Sequence, residues 1–156
     1  MKWIEWLKKW KMSHLKIKIP FLEMEFSPKD LDKDAAWDLY IELLTRITIQ
    51  PLKTEHGDEE IALKSIYSLF PSTRGVIKNY GRGCIEFTKI AVVVLNQIIR
   101  PFTAKWHKLS LQGAFLKKEQ CEIFRNELSD LQVHLKNYTK MLADMAGVED
   151  LTELED

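Results

Sequence analysis

Residues 121–145 read CEIFRNELSDLQVHLKNYTKMLADM. Cys121, Phe124, Leu128, Leu131, Leu135, Tyr138, Leu142 and Met145 follow one another in alternating steps of three and four. That spacing keeps all eight side chains on one stripe of an α-helix, because positions three and four apart lie on the same face. Such a stripe is half of a packed interface. Other helices of the chain must cover it, or a second copy must do so in a coiled coil. The expectation is core, with Gly147 placed to end the helix through a left-handed backbone.

Upstream of that helix the text is also helical. Residues 84–109 predict a long apolar helix, bent at Pro101. Gly81-Arg82-Gly83 is a break before it. Asp58-Glu59-Glu60 opens an earlier helix, with acids in the first turn where the macrodipole favours them. Pro71 and Ser72 are expected to interrupt that helix ahead of a shorter segment reaching Tyr80. Ser27-Pro28-Lys29-Asp30 offers a capping serine and a proline at the first helical position. The main helix after it is expected from Asp34 to Ile49, with Trp37, Tyr40, Ile41, Leu44 and Ile47 at helical spacing and Gln50-Pro51 as its end. About four helical regions with short connections predict a mainly α fold, an antiparallel up-and-down bundle over residues 27–148.

Two segments precede the bundle. Residues 1–14 are a basic, Trp-rich stretch, and residues 1–18 carry six lysines against one glutamate. On a helical wheel Trp3, Trp6, Leu7 and Trp10 fall within about a third of the circumference, with Lys2, Lys8, Lys9 and Lys11 beside or opposite them. In residues 15–26, LKIKIPFLEMEF, apolar and charged residues alternate, as in a half-buried strand. A turn at Pro20-Phe21 would pair Lys18 with Glu23 and Lys16 with Glu25, and would place Leu15, Ile17, Ile19, Leu22, Met24 and Phe26 on the other face. A small β-hairpin packed on the bundle is therefore expected. Residues 149–156 form an acidic tail.

At 156 residues, 46% hydrophobic and 29% charged, the chain has the composition of one globular domain with an ordinary core. A formal net charge of zero argues against a protein built mainly to bind nucleic acid. Cys84 and Cys121 do not form a disulfide framework, and reduced thiols in a cytoplasmic protein are expected. The longest wholly apolar run, residues 90–95, is too short to span a bilayer. No continuous apolar signal segment is visible at the N-terminus. His14, His56, His107 and His134 are scattered, so neither a metal nor a cofactor is expected.

Residues 100–107, RPFTAKWH, are the densest group of special side chains. The separation of Arg100 and His107 resembles the R-x4–6-H motif of HEPN ribonucleases, which are small helical bundles. The resemblance covers those eight residues and the general architecture. It implies Arg100 and His107 acting on an RNA phosphodiester, commonly across a dimer interface. A cation and an imidazole suit that chemistry, one holding the phosphate and the other moving a proton. Pro101 departs from the polar residue usual after the Arg, and the motif lies on the penultimate rather than the last helix. Arg100 and Trp106 equally suit an interaction hot spot. Backbone amides after Gly81-Arg82-Gly83, with Arg74 and Lys78 upstream, are a third candidate, for an anion.

The leading expectation is a non-enzymatic helical interaction module. It would attach to a protein partner or an anionic membrane surface through Trp3, Trp6, Leu7, Trp10, Lys8, Lys9 and Lys11, making it cytoplasmic or membrane-peripheral. Folding of that stripe back onto the chain itself is the other open outcome. The alternative function is a HEPN-like RNA-cleaving domain using Arg100 and His107, which would require a homodimer.

Overall fold

A computed structural model describes residues 28–46 and 58–155. Among these the protein is mainly helical and contains no strand. The expected basic helix over 1–14 and hairpin over 15–26 lie outside the described residues, as do Ser27 and residues 47–57.

Helix α1 spans Asp30–Leu44. It starts before the expected Asp34 because Asp32 supplies a cap from within the first turn: its Oδ2 accepts the Lys29 N–H at 2.8 Å. Pro28 consequently stands outside the helix. The helix ends before the expected Ile49, since the backbone of Thr45 leaves helical geometry and its hydroxyl donates to the Ile41 carbonyl at 2.7 Å. The buried face is Ala35, Ala36, Leu39, Tyr40, Leu43 and Leu44. Trp37, expected inward, is 41% exposed. The stripe is rotated from the one that the largest side chains suggest, because two alanines give α1 its close approach to neighbouring helices.

Helices α2 (Glu59–Tyr67) and α3 (Leu69–Tyr80) follow. Asp58 caps α2 as its acidic start predicts, accepting the N–H groups of Glu60 and Ile61 at 3.0 and 3.2 Å. The break falls at Ser68 rather than at Pro71. Pro71 lies in the first turn of α3, where a missing N–H costs nothing, so the proline is accommodated and not disruptive. Arg46 donates to the hydroxyls of Ser68 and Ser72 and to Glu42, tying the end of α1 to this break. Tyr80 Oη donates to Asp38 at 2.7 Å, and that bond, with burial, raises the phenol pKa to about 12.

A 3₁₀ turn, Gly81–Cys84, leads into a continuous helical stretch made of α4 (Ile85–Val93), a π-helical segment (Val94–Ile99) and α5 (Arg100–Leu111). The irregularity expected at Pro101 thus sits just before it. Proline provides no N–H for the Gln97 carbonyl and its ring presses on that group. The preceding turns widen instead, and the Arg100 N–H reaches back to the Leu95 carbonyl.

After a 3₁₀ turn at Ala114–Leu116 comes α6, Lys118–Ala146. Its heptad stripe is core: Phe124, Leu128, Leu131, Leu135, Tyr138, Leu142 and Met145 are all buried, and Cys121 is half-buried. Gly147 ends it with φ 72°. The expected acidic tail does not trail away. Leu151 N–H donates to Tyr40 Oη at 2.7 Å, Thr152 is buried, and Glu153 pairs with Lys140 at 3.2 Å. α1 packs chiefly on α6 and also meets α3 and α4, while α2 packs on α5.

Asp32 joins two of these elements. It is wholly buried, and its second oxygen accepts the Phe87 N–H at 3.1 Å. One carboxylate therefore caps the N-termini of both α1 and α4, where the two helix dipoles favour negative charge.

Candidate functional site

Arg100 and His107 both lie on α5, seven residues apart. Seven residues are almost two helical turns, so both side chains emerge on one face, separated by about 10 Å along the axis. Each is exposed, and each opens into the same cleft between α5 and the α2–α3 pair. Tyr67, Phe70 and Arg74 form the opposite wall of this cleft, whose volume is about 160 Å³.

A row of close, mutually tilted groups runs across this cleft. The Arg100 guanidinium carbon sits 4.8 Å from the centroid of the Phe70 ring. Phe70 is 5.6 Å from Tyr67, and Tyr67 is 6.3 Å from the His107 ring. Arg100 also donates from Nε and Nη2 to Asn96 Oδ1 at 3.2 and 3.1 Å. Stacking and these bonds hold the guanidinium plane in place and leave Nη1 without a partner among the described residues. Arg74 likewise has no hydrogen-bond or ion-pair partner among them. Two arginines and an imidazole thus line one small cleft, and no carboxylate lines it.

The cleft continues past Tyr67 and His107 into a second hollow of about 450 Å³. Leu63, Tyr67 and Leu111 give it an apolar floor, and Glu60, Lys64, Ser68 and Ser110 are polar groups on its lining, with Glu60 and Lys64 paired at 3.7 Å. Tyr67 and Leu111 are exposed large hydrophobic side chains, both belonging to this hollow.

The other candidates have different positions. Trp106, expected at an interaction surface, is wholly buried. One residue before His107, it is turned by about 100° into the core. There it stacks on Phe115 at 6.0 Å and meets Phe124 edge-on at 5.1 Å, and its Nε1 donates to Glu127. The candidate anion site after Gly81-Arg82-Gly83 is taken by the chain itself. The chain supplies its own anion there, since Asp32 accepts the Phe87 N–H. Gly83 serves close packing instead: a Cβ there would lie 2.3 Å from Leu31 Cδ1. Arg74 belongs to the cleft, away from that turn. Trp3, Trp6, Leu7, Trp10, Lys8, Lys9 and Lys11 lie outside the described residues.

Sequence reading missed Tyr67, Phe70 and Leu63. All three sit on the α2–α3 pair, and the signal that marks them is spatial: they face Arg100 and His107 only once α2 packs on α5. The chain matches no protein-family model, and neither curated proteins nor solved structures gave a match.

Proposed function

We propose that this protein is a non-enzymatic helical interaction module that engages an anionic group through the cleft between α5 and the α2–α3 pair. The observation that carries this is the facing of Arg74 and Arg100, with His107, across a cleft lined by no carboxylate. A fixed, stacked guanidinium is a suitable receptor for a planar or tetrahedral oxyanion. The helices are read as an antiparallel up-and-down bundle. In that arrangement the first and third helical regions run parallel, which the shared Asp32 cap on the N-termini of α1 and α4 supports. The N-terminal Trp/Lys segment would act as a second attachment point, to a protein partner or an anionic membrane surface.

Titration of the full chain with inorganic phosphate, followed by ¹H–¹⁵N NMR of arginine Nε–H groups, tests the cleft. Arg74 and Arg100 resonances should move together. The Arg74→Gln/Arg100→Gln double variant should bind phosphate there about a hundredfold more weakly, the effect of losing two charge-assisted hydrogen bonds of roughly 1.5 kcal/mol each. Phosphate that shifts only lysine-rich or other regions would overturn the assignment.

A second reading has its own observation. Arg100 and His107 open into one cleft, as a HEPN-like site for RNA cleavage requires. That reading predicts dimerisation and RNA cleavage that disappears in Arg100→Ala and in His107→Ala. Cleavage unchanged in either variant removes it.

A further inference from the structure

The cleft and the hollow beside it are not two separate sites. They share Tyr67 and His107 as common walls, and their chemistry differs sharply. At one end stand Arg74, Arg100 and His107. At the other stand Leu63, Tyr67 and Leu111 over about 450 Å³, a volume within the usual range of small-molecule pockets. The lining residues on α5 centre near Thr103 for the first end and near Ser110 for the second. The two centres are therefore separated by about two helical turns, on the order of 10 Å.

We propose that this groove is a single two-part site for a nucleoside monophosphate, with the phosphate between Arg74 and Arg100 and the base laid against Tyr67 in the apolar hollow. The inference rests on the reading of the basic cleft as the working surface and adds the identity of what fills it. A ligand that satisfies both ends must carry an oxyanion at one end and a flat apolar body at the other, joined by a short spacer. Ribose is such a spacer, and it places the base at the near end of the hollow, against Tyr67, which both parts share. The flat body has polar edges, because Glu60, Lys64, Ser68, His107 and Ser110 line the hollow beside its apolar floor. A nucleobase meets those groups with ring nitrogens and an exocyclic amine, which a simple phenyl ring lacks. Tyr67 fits the role of a stacking platform: it is 53% exposed and already aligned in the row running from Arg100 through Phe70 to His107.

Isothermal titration of the full chain with adenosine 5′-monophosphate, ribose 5-phosphate, adenosine and O-phosphotyrosine tests this, with the NMR signals of Arg74 and Arg100 reporting the location. Adenosine monophosphate should bind at least tenfold more tightly than ribose 5-phosphate. Tyr67→Ala should remove that advantage, weakening the monophosphate by far more than it weakens ribose 5-phosphate. Leu111→Glu, at an exposed position on the hollow, should act in the same direction without any change in far-UV circular dichroism. Equal binding of the monophosphate and ribose 5-phosphate would overturn the two-part site and leave the anion cleft standing. So would an advantage that survives both variants, or phosphotyrosine binding as tightly as the nucleotide. If no phosphate-bearing probe moves the Arg74 and Arg100 signals, the anion cleft itself fails with it.

Discussion

Replacing Trp106 with alanine should destabilise the protein by about 3–5 kcal/mol, the usual cost of emptying a buried aromatic site. Trp106 is the largest of the fully buried side chains among the described residues. It locks α5 to α6 through Phe124, and to the Ala114–Leu116 turn through Phe115; Phe124 in turn meets Phe115 at 4.9 Å and Phe102 at 5.5 Å. Alanine removes one ring from a cluster of four, and the remaining three cannot close the space without moving a helix. It also strips Glu127 of the indole donor, leaving that carboxylate to Lys105 alone among its described partners. Trp106→Phe weights the two losses differently, since it deletes the Nε1–H but keeps one six-membered ring of the packing. Its cost should be well under half that of alanine. Urea denaturation followed by circular dichroism measures both. A loss below about 1 kcal/mol for alanine would mean that this cluster does not hold α5 in place. The groove would then lack the rigid wall that its chemistry needs, because Arg100 and His107 are set by the same helix.

Asp32→Ala should cost nearly as much, about 3–5 kcal/mol, by a different route. Two backbone N–H groups, of Lys29 and Phe87, lose a buried carboxylate acceptor at 2.8 and 3.1 Å. Each hydrogen bond to a charged group contributes roughly 1.5–3 kcal/mol, and the Phe87 donor is left inside the protein with no water to replace the acceptor. Asp32→Asn keeps the shape and one oxygen, so it should fall between wild type and alanine. Hydrogen exchange at the Phe87 amide gives a local check. That amide should lose protection in Asp32→Ala by more than the change in global stability explains. Protection that tracks global stability alone would show that the cap on α4 contributes little.

The parts legible from sequence were those governed by neighbours along the chain. The stripe from Phe124 to Met145 announced α6, since a three-four spacing has meaning on one helix regardless of what it meets. Asp58 announced the start of α2, and Gly147 the end of α6, for the same local reason. Proline was only partly legible. Pro71 is harmless because it falls in a first turn, and the irregularity associated with Pro101 lies in the preceding π segment. The first outcome depends on where the helix begins, which a residue's identity does not disclose. The candidate site divided along similar lines. The spacing of Arg100 and His107 marked both as candidates, while Arg74, Tyr67 and Phe70 belong to the site only because α2 and α3 lie across from α5.

Two tryptophans mark the boundary between what sequence determined and what tertiary structure decided. Sequence set the helical class, the face that α6 buries, and the phase that puts Arg100 and His107 together, because backbone hydrogen bonding imposes its period within a few residues. It could not tell that Trp37 would stand in solvent and Trp106 in the core. That choice follows from how closely two helices approach, and small residues such as Ala35 and Ala36 govern it as much as large ones. Nor could it show that one aspartate would cap two helices, or that two arginines would share a cleft. Those pairings join residues 55 and 26 positions apart. They exist only because packing of the whole core brings the elements together, and the groove that we assign as the working surface is a product of that packing.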